Sequence, residues 1–171
     1  MVRKIKKTTL LKKKGDFIMT TIRNKKEINK NGIKATGYVT VDAYVNEVAI
    51  INGKNGIFFE MPGQRYQDAE GNWQTSYYAT PADKESAAAI LQQVKDKVAA
   101  DDYRKVNFEK RPNLMGFCSV KGVVSAKVSI TDAGRIVTPS RKYEKDGETK
   151  YANYVGISKE QADEIAAAFG A

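Results

Sequence analysis

Aromatic and basic side chains that could bind a polyanion are concentrated in two short segments, residues 62–79 and 139–155. Six of the nine tyrosines and the only tryptophan lie there: Tyr66, Tyr77, Tyr78, Tyr143, Tyr151, Tyr154 and Trp73. The basic residues interleaved with them are Arg65, Arg141, Lys142, Lys145 and Lys150. Such sets suit nucleic acid, because bases stack on the rings while the cations hold the phosphates. The predicted nucleic-acid-binding residues are Arg65, Tyr66, Trp73, Arg141, Lys142, Tyr143 and Lys150.

Each of these residues also has a purely structural interpretation. Tyrosines in strands are commonly half-buried sheet residues, and the basic residues beside them are commonly solvated charges. Tyr66 directly follows Arg65, and Tyr143 directly follows Lys142. Because neighbouring side chains in a strand point to opposite faces, ring and charge would separate unless a bulge intervenes.

The composition argues against an enzyme. The chain has no histidine, which removes Ser–His and Cys–His nucleophilic systems, and its single cysteine leaves no credible zinc site. Gly53-Lys54-Asn55-Gly56 lacks the spacing of a phosphate-binding loop and precedes a strand, whereas that motif precedes a helix. We therefore expect no catalytic residues, no metal, no cofactor and no small-molecule substrate.

The remaining composition indicates a protein of the cytoplasm. Cys118 has no partner for a disulfide and lies in an apolar strand, where we expect it to be a buried hydrophobe. No stretch approaches the roughly 18 apolar residues of a membrane span, so we expect no membrane partner.

Residues 37–98 and 116–169 are interpreted as two copies of one structural unit. Gly37-Tyr38-Val39-Thr40-Val41 matches Gly116-Phe117-Cys118-Ser119-Val120 in residue class at every position, and residues 62–66 similarly match residues 139–143. A unit of this size would bury only about 60% of its unfolded surface and be marginal alone. We therefore expect the two copies to pack on each other.

The strand pattern predicts antiparallel sheets. Runs rich in Val, Ile, Tyr and Thr predict separate strands over residues 35–41 and 44–51, and residues 24–32 read as a strand edge or a loop. Residues 124–130 alternate between apolar and polar side chains, as a half-buried strand does. Asp146-Gly147 predicts a two-residue hairpin turn.

One amphipathic helix follows the strands of each copy, which gives an α+β fold class. Thr80 is predicted as the N-cap of the first helix, with Pro81 at its first helical position. Ser158-Lys159-Glu160-Gln161 reads as a capping box for the second helix, and Gly170 as its stop. Residues 101–105 are predicted to link the copies.

The net charge of +9 is unevenly distributed. Residues 1–16 contain seven of the 29 basic residues and one of the 20 acidic ones, which leaves the rest of the chain close to +3. Residues 1–18 are therefore predicted to form a disordered basic tail, or to be spurious if translation starts at Met19. The first unit is assigned to residues 19–100 and the second to residues 101–171.

The string Gly53-Lys54-Asn55-Gly56-Ile57-Phe58-Phe59-Glu60-Met61-Pro62-Gly63-Gln64-Arg65 resembles the stage V sporulation protein G (SpoVG) family. That family carries a string of the form G-x-N-G-[LI]-F-x-x-M-P-x-x-R. The order of elements agrees over residues 33–98. The second copy keeps the plan without the string, since residues 134–141 lack the Asn-Gly and the Met.

The resemblance implies a small bacterial or phage α+β protein that binds DNA and RNA and regulates gene expression, usually as a homodimer of single units. The family's basic position after Met-Pro corresponds to Arg65, with Arg141 and Lys142 as its approximate counterparts in the second copy. A tandem chain can close the same interface within itself and so avoid the association penalty. We expect a monomeric pseudo-dimer, with a homodimer as the alternative.

The sequence thus predicts a non-enzymatic protein that binds DNA, RNA or both, as a regulator of gene expression or a mobile-element protein. The alternative is a protein-interaction adaptor that keeps the same fold without affinity for nucleic acid. The predicted fold is a tandem repeat of a small antiparallel β-sheet unit, each followed by one C-terminal helix, packed as a pseudo-dimer.

Overall fold

The computed structural model describes residues 20–170, and the predicted mixed α+β fold class is confirmed. The first half contains β1 (Arg23–Lys30), β2 (Ile33–Gly53), β3 (Gly56–Glu60), β4 (Gly63–Gln67), β5 (Trp73–Tyr77), β6 (Ala79–Pro81) and α1 (Lys84–Ala99). The second half contains β7 (Arg104–Lys105), β8 (Leu114–Thr131), β9 (Ile136–Val137), β10 (Ser140–Lys145), β11 (Glu148–Asn153), β12 (Val155–Gly156) and α2 (Lys159–Ala168). The predicted tail, residues 1–18, lies outside the described residues.

Two long antiparallel strands, β2 and β8, form the centre of the main sheet. Their side chains alternate, so that one face is buried and the other is open. Val39 opposes Ala126 and Val41 opposes Val124 on the buried face, where all four are at most 3% exposed. Burial of this apolar face fixes the register of the two strands, because a shift by one residue would move the apolar side chains of a strand to the open face.

Short antiparallel strands line both outer sides of this central pair. β1, β12 and β3 pair with successive parts of β2, and β9, β6 and β7 pair with successive parts of β8. Across the middle of the sheet the order is β12-β2-β8-β6. Strands from before and after residue 100 therefore alternate in one sheet.

Helix α1 covers the buried face. Its apolar stripe buries Ile90 and Val94, and a Cβ built at Gly122 would stand 3.3 Å from Ile90 Cγ1. The predicted N-cap is wrong: Thr80 and Pro81 belong to β6, and the cap is Asp83, whose carboxylate accepts from Ser86 N at 2.8 Å. β6 pairs with β8, and this pairing keeps the two residues extended.

Helix α2 covers the same hydrophobic core, with Ile165 and Phe169 buried. The capping box predicted at Ser158 is confirmed, because its hydroxyl accepts from Gln161 N while the Gln161 side chain accepts from Ser158 N. Gly170 has a φ of 85° just past the helix end, as predicted for a stop. No helix in the described part of the chain is long and apolar enough to cross a membrane.

The two strands predicted over residues 35–41 and 44–51 form one continuous strand, β2. Asp42 lies between the two predicted strands and does not interrupt β2, because its carboxylate is on the open face and pairs with Lys121 Nζ at 2.8 Å. Residues 24–32, predicted as an edge or a loop, are largely β1, and the predicted linker contains the two-residue strand β7.

The sheet curves around its core. Tyr78 precedes β6 and Tyr154 precedes β12, on opposite outer sides of the central pair, yet their ring centroids lie 4.7 Å apart. Contact between these rings requires the outer strands to bend toward each other on the core side. A bulge in β2 between Val45 and Val48, with Glu47 at a φ of 60°, marks one bend.

Candidate nucleic-acid interface

Strands β4 and β5 form a separate two-stranded ribbon, here called ribbon one (residues 63–77). Arg65 opposes Thr75 and Gln67 opposes Trp73, so these four side chains share one face. The Arg65 guanidinium carbon lies 5.0 Å from the Trp73 ring centroid. Trp73 is 59% exposed. Two predicted site residues therefore meet as an exposed cation–ring pair.

Tyr66 lies on the opposite face of ribbon one. It opposes Gln74, and its ring is exposed. The separation of Tyr66 from Arg65, which strand geometry predicts, is confirmed, because no bulge interrupts this ladder. The two exposed rings of ribbon one, Tyr66 and Trp73, therefore lie on opposite faces and cannot form a single stacking surface.

The turn of ribbon one is held by Asp68. Its carboxylate accepts from Asn72 N at 2.9 Å, from Glu70 N at 3.0 Å and from Gln74 Nε2 at 3.1 Å. Donation from Asn72, followed by that from Gln74, lowers the pKa of Asp68, since these bonds favour the ionised form. The fixed negative charge stands in the turn, three residues beyond Arg65, which lies in the middle of β4.

Ribbon two consists of β10 and β11 (residues 140–153), joined by the predicted Asp146-Gly147 turn. Both turn residues have positive φ, 54° and 77°, as a two-residue hairpin of this kind needs. The turn fixes a register in which Tyr143 opposes Lys150. Arg141, two residues before Tyr143, lies on the same face.

On this face the Arg141 guanidinium carbon lies 5.5 Å from the Tyr143 ring centroid. Lys150 is partly exposed, and its ammonium pairs with Glu148 at 3.4 Å. Three of the predicted residues are thus brought together, although Glu148 offsets part of their positive charge. An exposed ion pair such as Lys150–Glu148 contributes little stabilising energy, so the Lys150 ammonium can bind another anion instead.

Lys142 lies on the other face of ribbon two, opposite Tyr151. Tyr151 is 66% exposed, more than any other large hydrophobic side chain in the described part of the chain. It is not among the predicted site residues. The position of Tyr151 could have been predicted from the sequence, because a two-residue turn at Asp146-Gly147 fixes the register that places Lys142 opposite Tyr151.

The two ribbons carry little net charge. Ribbon one has Arg65 against Asp68 and Glu70, and ribbon two has four basic residues against three acidic ones. The ribbons therefore offer individual cations beside exposed rings and no strongly positive field.

The open face of the main sheet is a second basic and aromatic surface, which sequence reasoning missed. It carries Tyr38 and Tyr44 on β2, Lys121 and Lys127 on β8, and Lys26 opposite Thr36 on the β1 side. No sequence-local signal identifies it, because β2 and β8 are about 80 residues apart in the chain.

Three tyrosines of the aromatic segments pack against the protein interior. Tyr77, Tyr78 and Tyr154 are half-buried and contact the hydrophobic core. Burial, and next the charge of the neighbouring Tyr154, raise the pKa of Tyr78. These rings stabilise the fold and are not exposed for stacking.

An apolar cleft of about 420 Å³ lies beside β3 and β6. Its walls include Ile51, Met61 and Pro81, and the 58%-exposed ring of Phe58 is at its border. Arg111 forms the polar side, where it pairs with Glu60 at 3.3 Å.

Comparisons of the chain with protein-family models, with curated proteins and with solved structures found no match. The resemblance to the SpoVG family stays a prediction.

Proposed function

We propose that this protein binds nucleic acid without catalysing a reaction and regulates gene expression or serves a mobile element. The observation that carries the proposal is the pair of exposed ribbons, each with a guanidinium over a ring: Arg65 over Trp73 and Arg141 over Tyr143. Bases can stack on the outer side of such a pair, while its N–H groups donate to phosphates.

The ligand class that fits the ribbons is DNA or RNA with unpaired bases and weak sequence preference. Rings on a narrow ribbon offer stacking surfaces to any base, whereas reading a base sequence requires hydrogen bonds to base edges. Membership of the SpoVG family is proposed on the string from Gly53 to Arg65.

We also propose that the chain is a tandem repeat folded as a pseudo-dimer. Reciprocal pairings support this: β12 pairs with β2, while β6 pairs with β8. The backbone repeats the arrangement, since Tyr78 N donates to Pro62 O and Tyr154 N donates to Pro139 O, both at 2.9 Å. In a dimer of single units the same pairings would join two chains.

The test is nucleic-acid binding by a tail-neutral protein, the full chain with the seven Lys and Arg of residues 1–16 replaced by Gln. In this background Arg65→Ala with Arg141→Ala should weaken binding to single-stranded DNA and RNA. It should also flatten the salt dependence between about 50 and 200 mM salt, because two phosphate contacts are lost.

The matched control is Arg135→Ala with Lys95→Ala, which removes the same charge from exposed positions outside the ribbons. Equal losses in the two double variants would show that the ribbon cations have no special role.

A protein-interaction adaptor is the second candidate, and the apolar cleft beside Phe58 favours it. Apolar clefts with an exposed aromatic border are typical of sites that take a partner's side chain. If the tail-neutral protein binds neither DNA nor RNA at low salt, this function replaces the first.

A further inference from the structure

The open face of the main sheet carries charge of predominantly one sign. Arg23, Lys26, Lys121 and Lys127 lie on its part between Thr36 and Tyr44, against the carboxylate of Asp42, while Glu47 beyond the bulge of β2 is paired with Arg104. Asp42 is engaged by Lys121 Nζ at 2.8 Å. Within the described residues, Lys26 and Lys127 have no carboxylate at ion-pair distance. The face therefore has positive charge available for an anionic partner.

Rings and cations face each other directly across this surface. Tyr38 opposes Lys127 and Tyr44 opposes Lys121, with Lys121 Nζ 5.7 Å from the Tyr44 ring centroid. Tyr44 is 57% exposed. The two rings are six residues apart on β2, a separation of about 20 Å along the strand. This length accommodates several nucleotides of an extended strand.

Between the two ring–cation pairs, the face is lined with hydroxyl groups and an immobilised guanidinium. Arg23 Nη2 donates to Thr40 Oγ1 at 3.2 Å and to Ser125 Oγ at 2.9 Å, and Thr40 opposes Ser125 across the strands. These bonds hold Arg23 against the sheet, so it presents its remaining N–H groups without a large loss of side-chain entropy.

We propose that this open face is a second binding surface, on which a single-stranded nucleic acid runs along β2 and β8. Its bases would stack on Tyr44 and Tyr38, and its phosphates would meet Lys26, Arg23 and Lys127. Unpaired bases are required, because the bases of a duplex are already stacked on each other. This inference rests on the proposed nucleic-acid-binding function and adds a surface distinct from the ribbons and a path for the strand along β2 and β8.

The test measures binding of a labelled oligothymidylate and of a blunt DNA duplex to the tail-neutral full-length protein. Lys26→Ala with Lys127→Ala should lower the salt slope for the single strand by about 1.4, which is the value for two lost phosphate contacts. Tyr44→Ser should weaken single-strand binding roughly 5- to 150-fold, the contribution of one base–ring stack, and leave the salt slope unchanged.

Matched controls separate this surface from charge alone and from misfolding. Lys84→Ala with Lys95→Ala removes the same charge from exposed positions of α1 and should leave the slope unchanged. Lys26→Arg with Lys127→Arg should retain binding. Circular dichroism of every variant should match that of the parent protein.

The outcomes distinguish this proposal from the function on which it rests. If the ribbon variants weaken binding and the sheet-face variants do not, only the second surface is refuted. Duplex binding equal to single-strand binding, or equal losses in the α1 control, also refutes it. If the tail-neutral protein binds neither of these probes nor single-stranded RNA, both the proposed function and the second surface are refuted.

Discussion

At the scale of single residues, Gly116, Gly63 and Gly37 are the described glycines at which an added Cβ would come within 3.0 Å of another atom. A Cβ at Gly116 would overlap the carbonyl oxygen of Arg104, which lies in the outer strand β7. A Cβ at Gly37 would meet the end of the Ile22 side chain first and the Arg23 carbonyl oxygen at 3.2 Å. Gly116 is therefore confined by rigid backbone, and Gly37 mainly by a side chain that can move.

We predict that Gly116→Ala lowers the free energy of unfolding by about 1–3 kcal/mol or more, the cost of overpacking. Gly37→Ala should cost less, because the Ile22 methyl can shift. Gly53→Ala is the matched control, since its Cβ would meet only Gly56 O at 3.6 Å. Urea denaturation measures all three. A Gly116→Ala protein as stable as the Gly53→Ala protein would contradict this packing.

The thiol of Cys118 is buried, as the sequence predicts, and burial raises its pKa. Because the pKa is higher in the folded than in the unfolded protein, the protonated thiol contributes stability below the unfolded pKa. That stability is lost as pH rises through the folded pKa.

We predict that Cys118 reacts with a disulfide reagent much more slowly in the native protein than in denaturant at the same mildly alkaline pH. The reaction requires that the reagent reach the sulfur and that the thiol be ionised. Burial in the fold shields the sulfur and, by raising the pKa, disfavours the thiolate. The absorbance of the thiol released from the reagent measures the rate of the reaction. Because the chain has a single cysteine, the signal is assigned to Cys118. Equal rates in the two states would place the thiol at the surface.

At the scale of elements, the two helix starts differ in how well local sequence identifies them. The start of α2 is encoded by a capping box that needs no other part of the chain. The start of α1 is shifted, because Thr80 and Pro81 pair with β8 before the helix begins. The residue types of Thr80 and Pro81 favour a helix start, but the pairing of these two residues with the distant strand β8 keeps them extended.

This difference gives a prediction on stability. Asp83→Ala should lower the free energy of unfolding by about 1 kcal/mol, the typical cost of losing an N-cap. Thr80→Ala should stay within about 0.5 kcal/mol, as an exposed surface substitution does. Thermal or urea unfolding compares the two. A larger loss for Thr80→Ala would restore Thr80 as the cap.

At the scale of the whole molecule, neither half of the chain can complete its sheet alone. β2 takes β12 from the second half, and β8 takes β6 from the first. The contact between the rings of Tyr78 and Tyr154 joins the same two halves on the core side. All of these pairings form within one chain, so a second copy of the chain is not required to supply the pairing strands.

We therefore predict a monomer of about 19.0 kDa in solution. Light scattering across a dilution series at micromolar concentration gives the mass. The unfolding transition should also be single, with far-ultraviolet and tyrosine signals changing together, because the interleaved halves lose their partners at the same time. A stable dimer mass would indicate exchange of the halves between chains.

The sequence by itself determined the features that depend on neighbouring residues. The mixed α+β class, the alternating burial of β8, the turn at Asp146-Gly147 and the cap at Ser158 all follow from local periodicity and turn chemistry. The same turn, read for register, places Arg141, Tyr143 and Lys150 on one face of ribbon two.

Only the tertiary structure decided which residues from distant parts of the chain share a surface. It joined β2 to β8 and so created the open face with Tyr44 and Lys121, and it turned Tyr78 and Tyr154 inward. The physical reason is that strand pairing over long sequence separations depends on the summed burial of the whole core. No short segment of the chain contains that information.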